Sequence, residues 1–334
     1  MTGSGSGSSP VRWGIISTAN IARAQFLPGL REAGGVAAAV AGRDSGRTEQ
    51  YASDNGIERA VTGYQNLIDD PGVDALYIAL PNALHAEWTM KALAAGRPVL
   101  CEKPLCGILL DTFRVLEAAR QTGTLLWEAF VFPFHSQLEQ IHKLVADGAI
   151  GDLMEINSSF HFQLSNPGNI RYSADLQGGA LNDVGCYPVR LAAEFFGPEH
   201  QAAWAGTCWG GEGVDVDTWG VIEYPGGRRL HLSCGLSRAY DTFSSLAGTA
   251  GRIHLTNPFH PGAGDTYTVI TPRSEPVSYP ATTGERSFTA AIAHINAVLT
   301  GEAEPRLLAV DTALPTARAL HDLTQSFTSR SSAP

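Results

Sequence analysis

The chain lacks several features that would point to a membrane, a metal or a nucleic acid. None of its apolar runs approaches the roughly 20 residues that a membrane-spanning helix needs. Its five cysteines are odd in number and include no C-x-x-C pair, so no metal site is expected. Lysine and arginine total 23 against 33 aspartate and glutamate, a formal net charge of -10. This balance argues against nucleic acid or an anionic membrane as a partner.

The N-terminal residues 1–10 have neither a basic start nor an apolar core, as a secretory signal would. They are rich in glycine and serine, which predicts a flexible tail. The cysteines are then expected to stay reduced, and the predicted location is the cytoplasm. A hydrophobic content of 44% and a length of 334 residues predict a globular protein with two domains.

The first part of the chain alternates short apolar runs with longer amphipathic stretches. Such alternation is typical of βαβ units, a parallel sheet and right-handed crossovers. The fold predicted for residues 11–127 is a doubly wound α/β domain of the Rossmann, dinucleotide-binding type. The predicted strands cover 11–17, 36–41, 75–80, 98–101 and 124–127, with a short one at 61, and the predicted helices cover 20–33, 45–55, 65–69, 83–95 and 109–122.

After residue 150 the pattern changes to alternating strands joined by turn signals, which favours antiparallel hairpins. Residues 128–305 are predicted to form an α+β domain for substrate binding and dimerisation, with an open-faced, mainly antiparallel sheet. Residues 306–330 are predicted to form a helix that packs back toward the first domain. The predicted strands are 153–162, 203–209, 218–224, 229–236, 252–255 and 267–271, and the predicted helices are 181–195, 288–299 and 309–327.

A turn of small residues follows the first predicted strand, where a dinucleotide-binding fold carries G-x-G-x-x-G. None of the expected glycines is present in the turn, although small side chains still let a helix N-terminus hold a pyrophosphate. An ordinary strand-to-helix turn is the alternative. The candidate cofactor residues here are Gly14, Ser17, Thr18, Ala19, Asn20 and Ile21.

Other candidate cofactor residues follow later strands of the predicted sheet. Arg43 stands where an arginine pairs with the 2′-phosphate of NADP, which predicts NADP(H) as the preferred cofactor with NAD(H) possible. Asp44 weakens this inference, and a solvated arginine is the alternative. At the end of another strand the candidates are Leu80, Pro81, Asn82 and His85, although His85 is also compatible with a core or capping histidine.

Two further motifs carry groups suited to proton transfer. Glu102, Lys103 and Pro104 follow a buried strand, so the lysine is predicted to point into the cleft. Glu102 and Lys103 are also candidate cofactor residues. In the segment 178–188, Asp183 and Tyr187 are four residues apart and share one face if the segment is helical. Each motif alone is also compatible with a surface lysine or a packed tyrosine.

Taken in order, these motifs resemble the glucose–fructose oxidoreductase / inositol dehydrogenase / MocA (Gfo/Idh/MocA) family over nearly the whole chain, from Val11 to about Phe327. Further matching stretches are 127–130 and 168–172. The likeness is greatest to NADP-dependent xylose dehydrogenases, dihydrodiol dehydrogenases and nucleotide-diphosphate keto-sugar 3-ketoreductases, a branch in which the turn without glycines occurs. Inositol dehydrogenases carry histidine where this chain has Tyr187, which puts inositol chemistry in doubt.

The resemblance implies an NAD(P)-dependent oxidoreductase that moves a hydride between NADP(H) and a carbinol or carbonyl carbon of a sugar, polyol or trans-diol. Tyr187 is then the acid or base, Lys103 lowers its pKa, and Asp183 holds both in register. Asn169 and Arg171, with Asp183 and Tyr187, are the implied substrate ligands, and the family also implies a homodimer or homotetramer through the second sheet.

Two alternatives stay open at this point. A keto-sugar reductase acting on a nucleotide-diphosphate-linked hexose shares the same motifs. A regulatory protein that binds NADP(H) without catalysis shares the fold, since fold alone does not guarantee activity. The presence of Lys103, Asp183 and Tyr187 together favours an enzyme over the regulatory protein.

Overall fold

A computed structural model of the protein describes residues 9–329 apart from 273, 282 and 283. Residues 1–8, most of the predicted N-terminal tail, therefore lie outside the described residues.

The first sheet consists of six parallel strands, β1 (Arg12–Ile16), β2 (Val36–Gly42), β3 (Ala60–Thr62), β4 (Ala75–Ile78), β5 (Val99–Cys101) and β6 (Leu126–Glu128). Their order across the sheet is β3-β2-β1-β4-β5-β6. This is the Rossmann order, in which the direction of winding reverses between β1 and β4. The predicted doubly wound α/β class is confirmed.

Helices cover both faces of this sheet, which is why its strands are apolar on both sides. All four residues of β4 are buried, as are six of the seven in β2. The first predicted helix differs in detail, because it begins with a π-helical turn, Ala22–Phe26, before its α-helical part. The α-helices of this part of the chain are α1 (Leu27–Glu32), α2 (Ser45–Asp54), α3 (Tyr64–Ile68), α4 (Asn82–Ala94) and α5 (Leu109–Thr122).

The second sheet has nine strands, β7 (Leu153–Gln163), β8 (Ala202–Trp209), β9 (Asp215–Tyr224), β10 (Arg228–Gly235), β11 (Ser237–Gly248), β12 (Arg252–Leu255), β13 (Thr266–Ile270), β14 (Val277–Pro280) and β15 (Thr328–Ser329). Their order is β14-β13-β12-β11-β7-β10-β9-β8-β15. Only the pairs β7–β10 and β8–β15 are parallel among these described strands. The predicted mainly antiparallel sheet is confirmed.

Helices cover one face of the second sheet. The buried side chains of α6, α7 and α9 pack against its strands in one core, where α6 is Ser136–Ala146, α7 is Cys186–Phe196 and α9 is Ala309–Gln325. A π-helical turn, Leu181–Gly185, leads directly into α7. On the opposite face, Trp204 and Trp219 are 51% and 37% exposed. The sheet is thus open on that side.

Besides the short strands β14 and β15, strand β11 and helix α6 were absent from the sequence-based prediction. Strand β11 is too polar to show an apolar pattern, and its pairing with β7 is what places it, with Ser244 Oγ 2.8 Å from Ser158 Oγ. Helix α6 does carry a signal, since Leu138 and Ile141 are buried at helical spacing.

The last helices link the two halves of the molecule. Helix α8 (Ser287–Leu299) packs Phe288 and Ile292 into the first core, and its Asn296 Oδ1 accepts a hydrogen bond from Trp13 Nε1 at 2.9 Å. Helix α9 places Ala313 against the first domain and Leu323 in the core of the second. The spatial division therefore does not follow a single cut in the chain. Across the described residues, no helix combines the length and apolarity needed to cross a bilayer.

Candidate active site

A cleft of about 680 Å³ lies between the two sheets. The segments that follow β1, β4 and β5 border it on one side, and β7, the π-helical turn before α7, and α7 itself border it on the other. Ligands of open α/β sheets bind beyond the carboxyl ends of the strands, where the strand order reverses. The cleft occupies that position.

Most of the predicted site residues line this cleft. They are Thr18, Ala19, Asn20, Ile21, Leu80, Asn82, His85, Glu102, Lys103, Asn169, Arg171, Asp183 and Tyr187. Four predicted cofactor residues, all of them described by the structure, lie outside the lining, namely Gly14, Ser17, Arg43 and Pro81. Of these, Pro81 stands at the N-cap position of α4.

Gly14 and Ser17 belong to the sheet. A β-carbon on Gly14 would come within 2.9 Å of Leu76 and Val73, so the missing side chain makes room for the core. Ser17 has a φ of 134° and donates its N–H to Ala41 O at 3.1 Å, which ties the end of β1 to β2. Core packing therefore accounts for the glycine at position 14, and its predicted contact with the cofactor stays a prediction.

Beside the predicted Arg171, a second arginine lines the cleft, Arg47, and sequence reasoning missed it. Arg43 is exposed and stands outside the lining, just before Asp44, which caps α2 by accepting a hydrogen bond from Arg47 N at 2.7 Å. Arg47 lies in the first turn of α2, four residues after Arg43, and this closeness along the chain was the available signal. The lining thus includes Arg47 and not Arg43, and the contact of Arg43 with the cofactor stays a prediction.

Asp183 is the centre of a charged cluster. Lys103 Nζ donates to the backbone oxygen of Asp183 and lies 3.5 Å from its Oδ1, while Arg171 Nε donates to Oδ2 at 2.6 Å. Burial alone would raise the pKa of Asp183, but Lys103 and Arg171 outweigh it and the net pKa is lowered. Burial likewise opposes the charge of Lys103, the ionised form of Tyr187 and the Asp183 carboxylate favour it, and the net pKa is raised. Both groups are therefore ionised at neutral pH.

The loop before the π-helical turn supplies the rest of this cluster. Asn169 Oδ1 accepts a hydrogen bond from Arg171 N at 3.1 Å and so begins the short 3₁₀ turn Ile170–Tyr172. The Arg171 side chain is 38% exposed, so part of its guanidinium faces the cleft. The predicted substrate ligands Asn169, Arg171, Asp183 and Tyr187 are thus brought together.

Tyr187 lies in an aromatic cage with the lysine against its face. Its ring centroid is 5.5 Å from that of Phe130 and 5.3 Å from that of Phe160, and Lys103 Nζ lies 4.6 Å from its centroid. Lys103 acts to lower the pKa of Tyr187, as the sequence analysis expected. Burial acts in the opposite direction and is the larger effect, so the pKa is raised. Tyr187 is therefore a protonated phenol at neutral pH, and the predicted lowering of its pKa is corrected.

Glu102 and His85 hold the segments that carry Lys103. Glu102 Oε1 accepts a hydrogen bond from Tyr77 Oη at 2.5 Å, and its Oε2 accepts one from Lys103 N at 3.2 Å. The ring nitrogens of His85 lie 2.9 Å from Pro104 O and 2.8 Å from Leu80 O. His85 therefore lies between the segments that follow β4 and β5, and its N–H can donate to one of these two carbonyl oxygens.

Several lining residues were not found from the sequence. Phe160 and Phe162 come from β7, His260 from the loop after β12, and Phe288 from α8. None belongs to a local motif, because only the packing of the second domain on the first brings them to the cleft.

Comparison with known proteins agrees with this architecture. The profile of the Gfo/Idh/MocA oxidoreductase family, NAD-binding Rossmann fold, matches residues 11–130, and that of the family's C-terminal domain matches residues 138–254. The chain is 39% identical over 260 residues to a dTDP-3,4-didehydro-2,6-dideoxy-α-D-glucose 3-reductase of Streptomyces violaceoruber, covering 76% of this chain and 75% of that one. It is 34% identical over 249 residues to D-xylose 1-dehydrogenase (NADP(+)) 2 of Haloferax volcanii, covering 74% and 76%.

A solved structure extends the likeness to the whole fold. A 3-ketoreductase from Actinomadura kijaniata, in complex with NADP and TDP-benzene, superimposes with a TM-score of 0.87 at 31% identity, covering 96% of this chain and 99% of that one. The fold and these matches define a two-domain oxidoreductase with a dinucleotide-binding Rossmann domain. The chain belongs to the Gfo/Idh/MocA family, as its motifs predict, and its predicted class as an enzyme is confirmed.

Proposed function

We propose that the protein is an NADPH-dependent reductase of a keto-sugar carried on a nucleoside diphosphate, with Tyr187 as proton donor. The position of Tyr187 supports the proton-donor role, because its phenol is protonated at neutral pH and the Lys103 ammonium, 4.6 Å from the ring centroid, can stabilise the phenolate that remains after the proton is given. The likeness to a dTDP-linked keto-sugar 3-reductase supports the reductive direction and the substrate class.

The proton transfer follows from the position of Tyr187. When bound, the nicotinamide supplies a hydride to the carbonyl carbon of the substrate. Tyr187 gives its phenolic proton to the carbonyl oxygen as negative charge develops there. The Lys103 ammonium then stabilises the phenolate that remains, an interaction strengthened by the low exposure of the lysine, 11%. In the oxidation direction the same pair would have to begin as phenolate and ammonium.

The ionised carboxylate of Asp183 positions both the lysine and the substrate. Its Oδ1 and backbone oxygen face Lys103 Nζ, and its carboxylate can accept a hydrogen bond from a substrate hydroxyl. Asn169 and the exposed part of the Arg171 guanidinium lie next to this carboxylate and can contact further hydroxyls or a phosphate.

The cleft has groups that fit NADP(H). Thr18 to Ile21 line it just before the helical turn Ala22–Phe26, and the small side chains of Thr18 and Ala19 let a pyrophosphate approach the backbone there. Arg47 would pair with the 2′-phosphate, which favours NADP(H), with NAD(H) as the second cofactor. Leu80, Asn82, His85 and Glu102 would border the remaining part of the cofactor.

The substrate class is tested by following NADPH consumption with a dTDP-linked 3-keto-hexose and, in parallel, with the same sugar released from the nucleotide. We expect turnover of the linked sugar and a much higher KM for the free one. Equal KM values for the two sugars would show that the enzyme does not recognise the nucleotide. Absence of turnover with both sugars would refute keto-sugar reduction.

A second candidate is the oxidation of a free aldose, polyol or trans-diol with NADP⁺. The similarity to a D-xylose 1-dehydrogenase at 34% identity supports it. NADPH formation with D-xylose or a trans-diol at alkaline pH, together with no reduction of any keto-sugar, would replace the first proposal by this one.

We also propose a homodimer or homotetramer through the open face of the second sheet. Trp204 and Trp219 expose 51% and 37% of their surface there, and large exposed aromatics are typical of interfaces. Light scattering after size-exclusion chromatography tests this, since Trp204→Glu should shift the mass toward the monomer. The predicted cytoplasmic location stays a prediction.

A further inference from the structure

His260 is a polar side chain in the cleft that none of the motifs contains. It follows β12 in the chain and lines the cleft beside Tyr187 and Lys103. Its ring centroid is 5.4 Å from that of Tyr187, with the planes at 76°, and 6.1 Å from that of Phe160. The imidazole is therefore an immediate neighbour of the proposed proton donor.

The loop holds His260 in one place. Its N–H donates to Asn257 Oδ1 at 3.1 Å, and Asn257 Nδ2 donates back to its carbonyl oxygen at 2.7 Å. The preceding Phe259 is fully buried, with its ring centroid 5.1 Å from that of Tyr187. A side chain anchored on both the backbone and the neighbouring ring is pre-organised to contact a ligand.

The ring nitrogens of His260 are available for such a contact. Within the described part of the chain, neither makes a hydrogen bond, although the backbone of the same residue makes two. Burial, assisted by the Lys103 ammonium, lowers the pKa of His260 to about 4, so the ring is neutral at neutral pH. A neutral imidazole offers one donor and one acceptor. The adjacent Lys103 can only donate and the ionised Asp183 can only accept, so His260 adds a group able to do either.

We propose that His260 determines substrate specificity by hydrogen-bonding a sugar hydroxyl next to the carbon whose oxygen faces Tyr187. The inference rests on the proposed use of the cleft for a sugar, in whichever redox direction. A neutral hydrogen bond of ordinary strength corresponds to a loss of about 3- to 10-fold in affinity when removed, and leaving the hydroxyl unpaired adds to the loss.

Three full-length variants separate hydrogen bonding from packing. His260→Phe keeps an aromatic ring against Tyr187 but removes both nitrogens, and His260→Gln restores a donor and an acceptor. His142→Phe is the matched control, because His142 stacks on Phe195, at a centroid distance of 4.2 Å, outside the cleft lining.

Affinity is measured by calorimetry on enzyme loaded with NADP⁺, using dTDP-D-glucose and D-xylose as probes, and KM and kcat are measured for any sugar turned over. We expect His260→Phe to weaken sugar binding and raise KM about 10-fold, with kcat within about 3-fold and NADPH affinity unchanged. His260→Gln should recover most of the affinity, and His142→Phe should match the wild type.

Each outcome decides the inference. Unchanged sugar affinity in His260→Phe would overturn it. Equal losses of sugar affinity in the phenylalanine and glutamine variants, together with weaker NADPH binding, would also overturn it, because they indicate a structural role. Sugar binding that depends on His260 without any turnover would sustain the inference while the proposed reaction fails. If neither probe binds the wild-type enzyme, the assignment of a sugar hydroxyl to His260 is wrong.

Discussion

The substitution Glu128→Gln probes the electrostatics behind the site. Glu128 ends β6 and is 7% exposed, and its Oε1 accepts a hydrogen bond from Leu105 N at 2.7 Å. As far as the described residues go, its Oε2 has no hydrogen-bond partner. Burial raises the pKa of this carboxyl to about 7, against the opposing charge of Arg190. The folded protein therefore disfavours the ionised form.

The size of the effect follows from the pKa. An acid whose pKa is raised by folding stabilises the protein most below its unfolded pKa, and this contribution is lost as the pH rises through the folded pKa. A rise from the ordinary 4.5 to about 7 corresponds to a loss of about 3 kcal/mol, at roughly 1.4 kcal/mol per pH unit. Glutamine stays neutral throughout, and its amide oxygen can still accept from Leu105 N.

The assay is urea unfolding of both proteins at a series of pH values between about 5 and 8. The free energy of unfolding of Glu128→Gln, relative to the wild type, should rise with pH by up to about 3 kcal/mol. The buried amide N–H₂ of the glutamine can lower the free energy of unfolding by a constant amount, which does not change how the difference between the two proteins depends on pH. Exposed Glu139→Gln controls for the lost charge. A difference that does not change with pH would refute the argument that Glu128 is held in its protonated form.

Two other predictions test the cofactor assignments of Arg43 and Gly14. Arg47→Ala should reduce the preference for NADP⁺ over NAD⁺ about 10-fold or more, and Arg43→Ala should reduce it less. The preference is measured as the ratio of the KM values for the two cofactors. The reverse ranking would identify Arg43 as the residue that pairs with the 2′-phosphate. Gly14→Ala should lower the free energy of unfolding by about 1–3 kcal/mol through the clash with Leu76 and Val73, and NADPH affinity should be unchanged. A stable variant that fails to bind NADPH would show that Gly14 contacts the cofactor.

The Rossmann half could be predicted because its signals are local. Buried parallel strands such as β4 are continuous apolar runs, and each is separated from the next by a helix. The second sheet was harder, because β11 owes its conformation to its neighbour β7, and its side chains have little apolar pattern. Helix α8 illustrates the same limit, since nothing in its own sequence indicates that it packs on the first domain.

The site divides in the same way. Lys103, Asp183 and Tyr187 lie in short motifs at strand and helix ends, so their meeting in one cleft could be predicted. His260 enters the cleft through tertiary packing alone. The pKa of Tyr187 could not be predicted either, because its direction depends on how the burial of the ring compares with the charge of Lys103.

The central claim is that Tyr187 gives a proton to a carbonyl oxygen during reduction by NADPH. The most direct measurement is the single-turnover rate of NADPH oxidation with a dTDP-linked 3-keto-hexose for Tyr187→Phe, with exposed Tyr279→Phe on β14 as the matched control. We expect a loss of about 10²-fold or more in the Tyr187 variant, no loss in the control, and unchanged NADPH affinity in both. Full turnover by Tyr187→Phe would contradict it and leave Lys103 as the proton carrier.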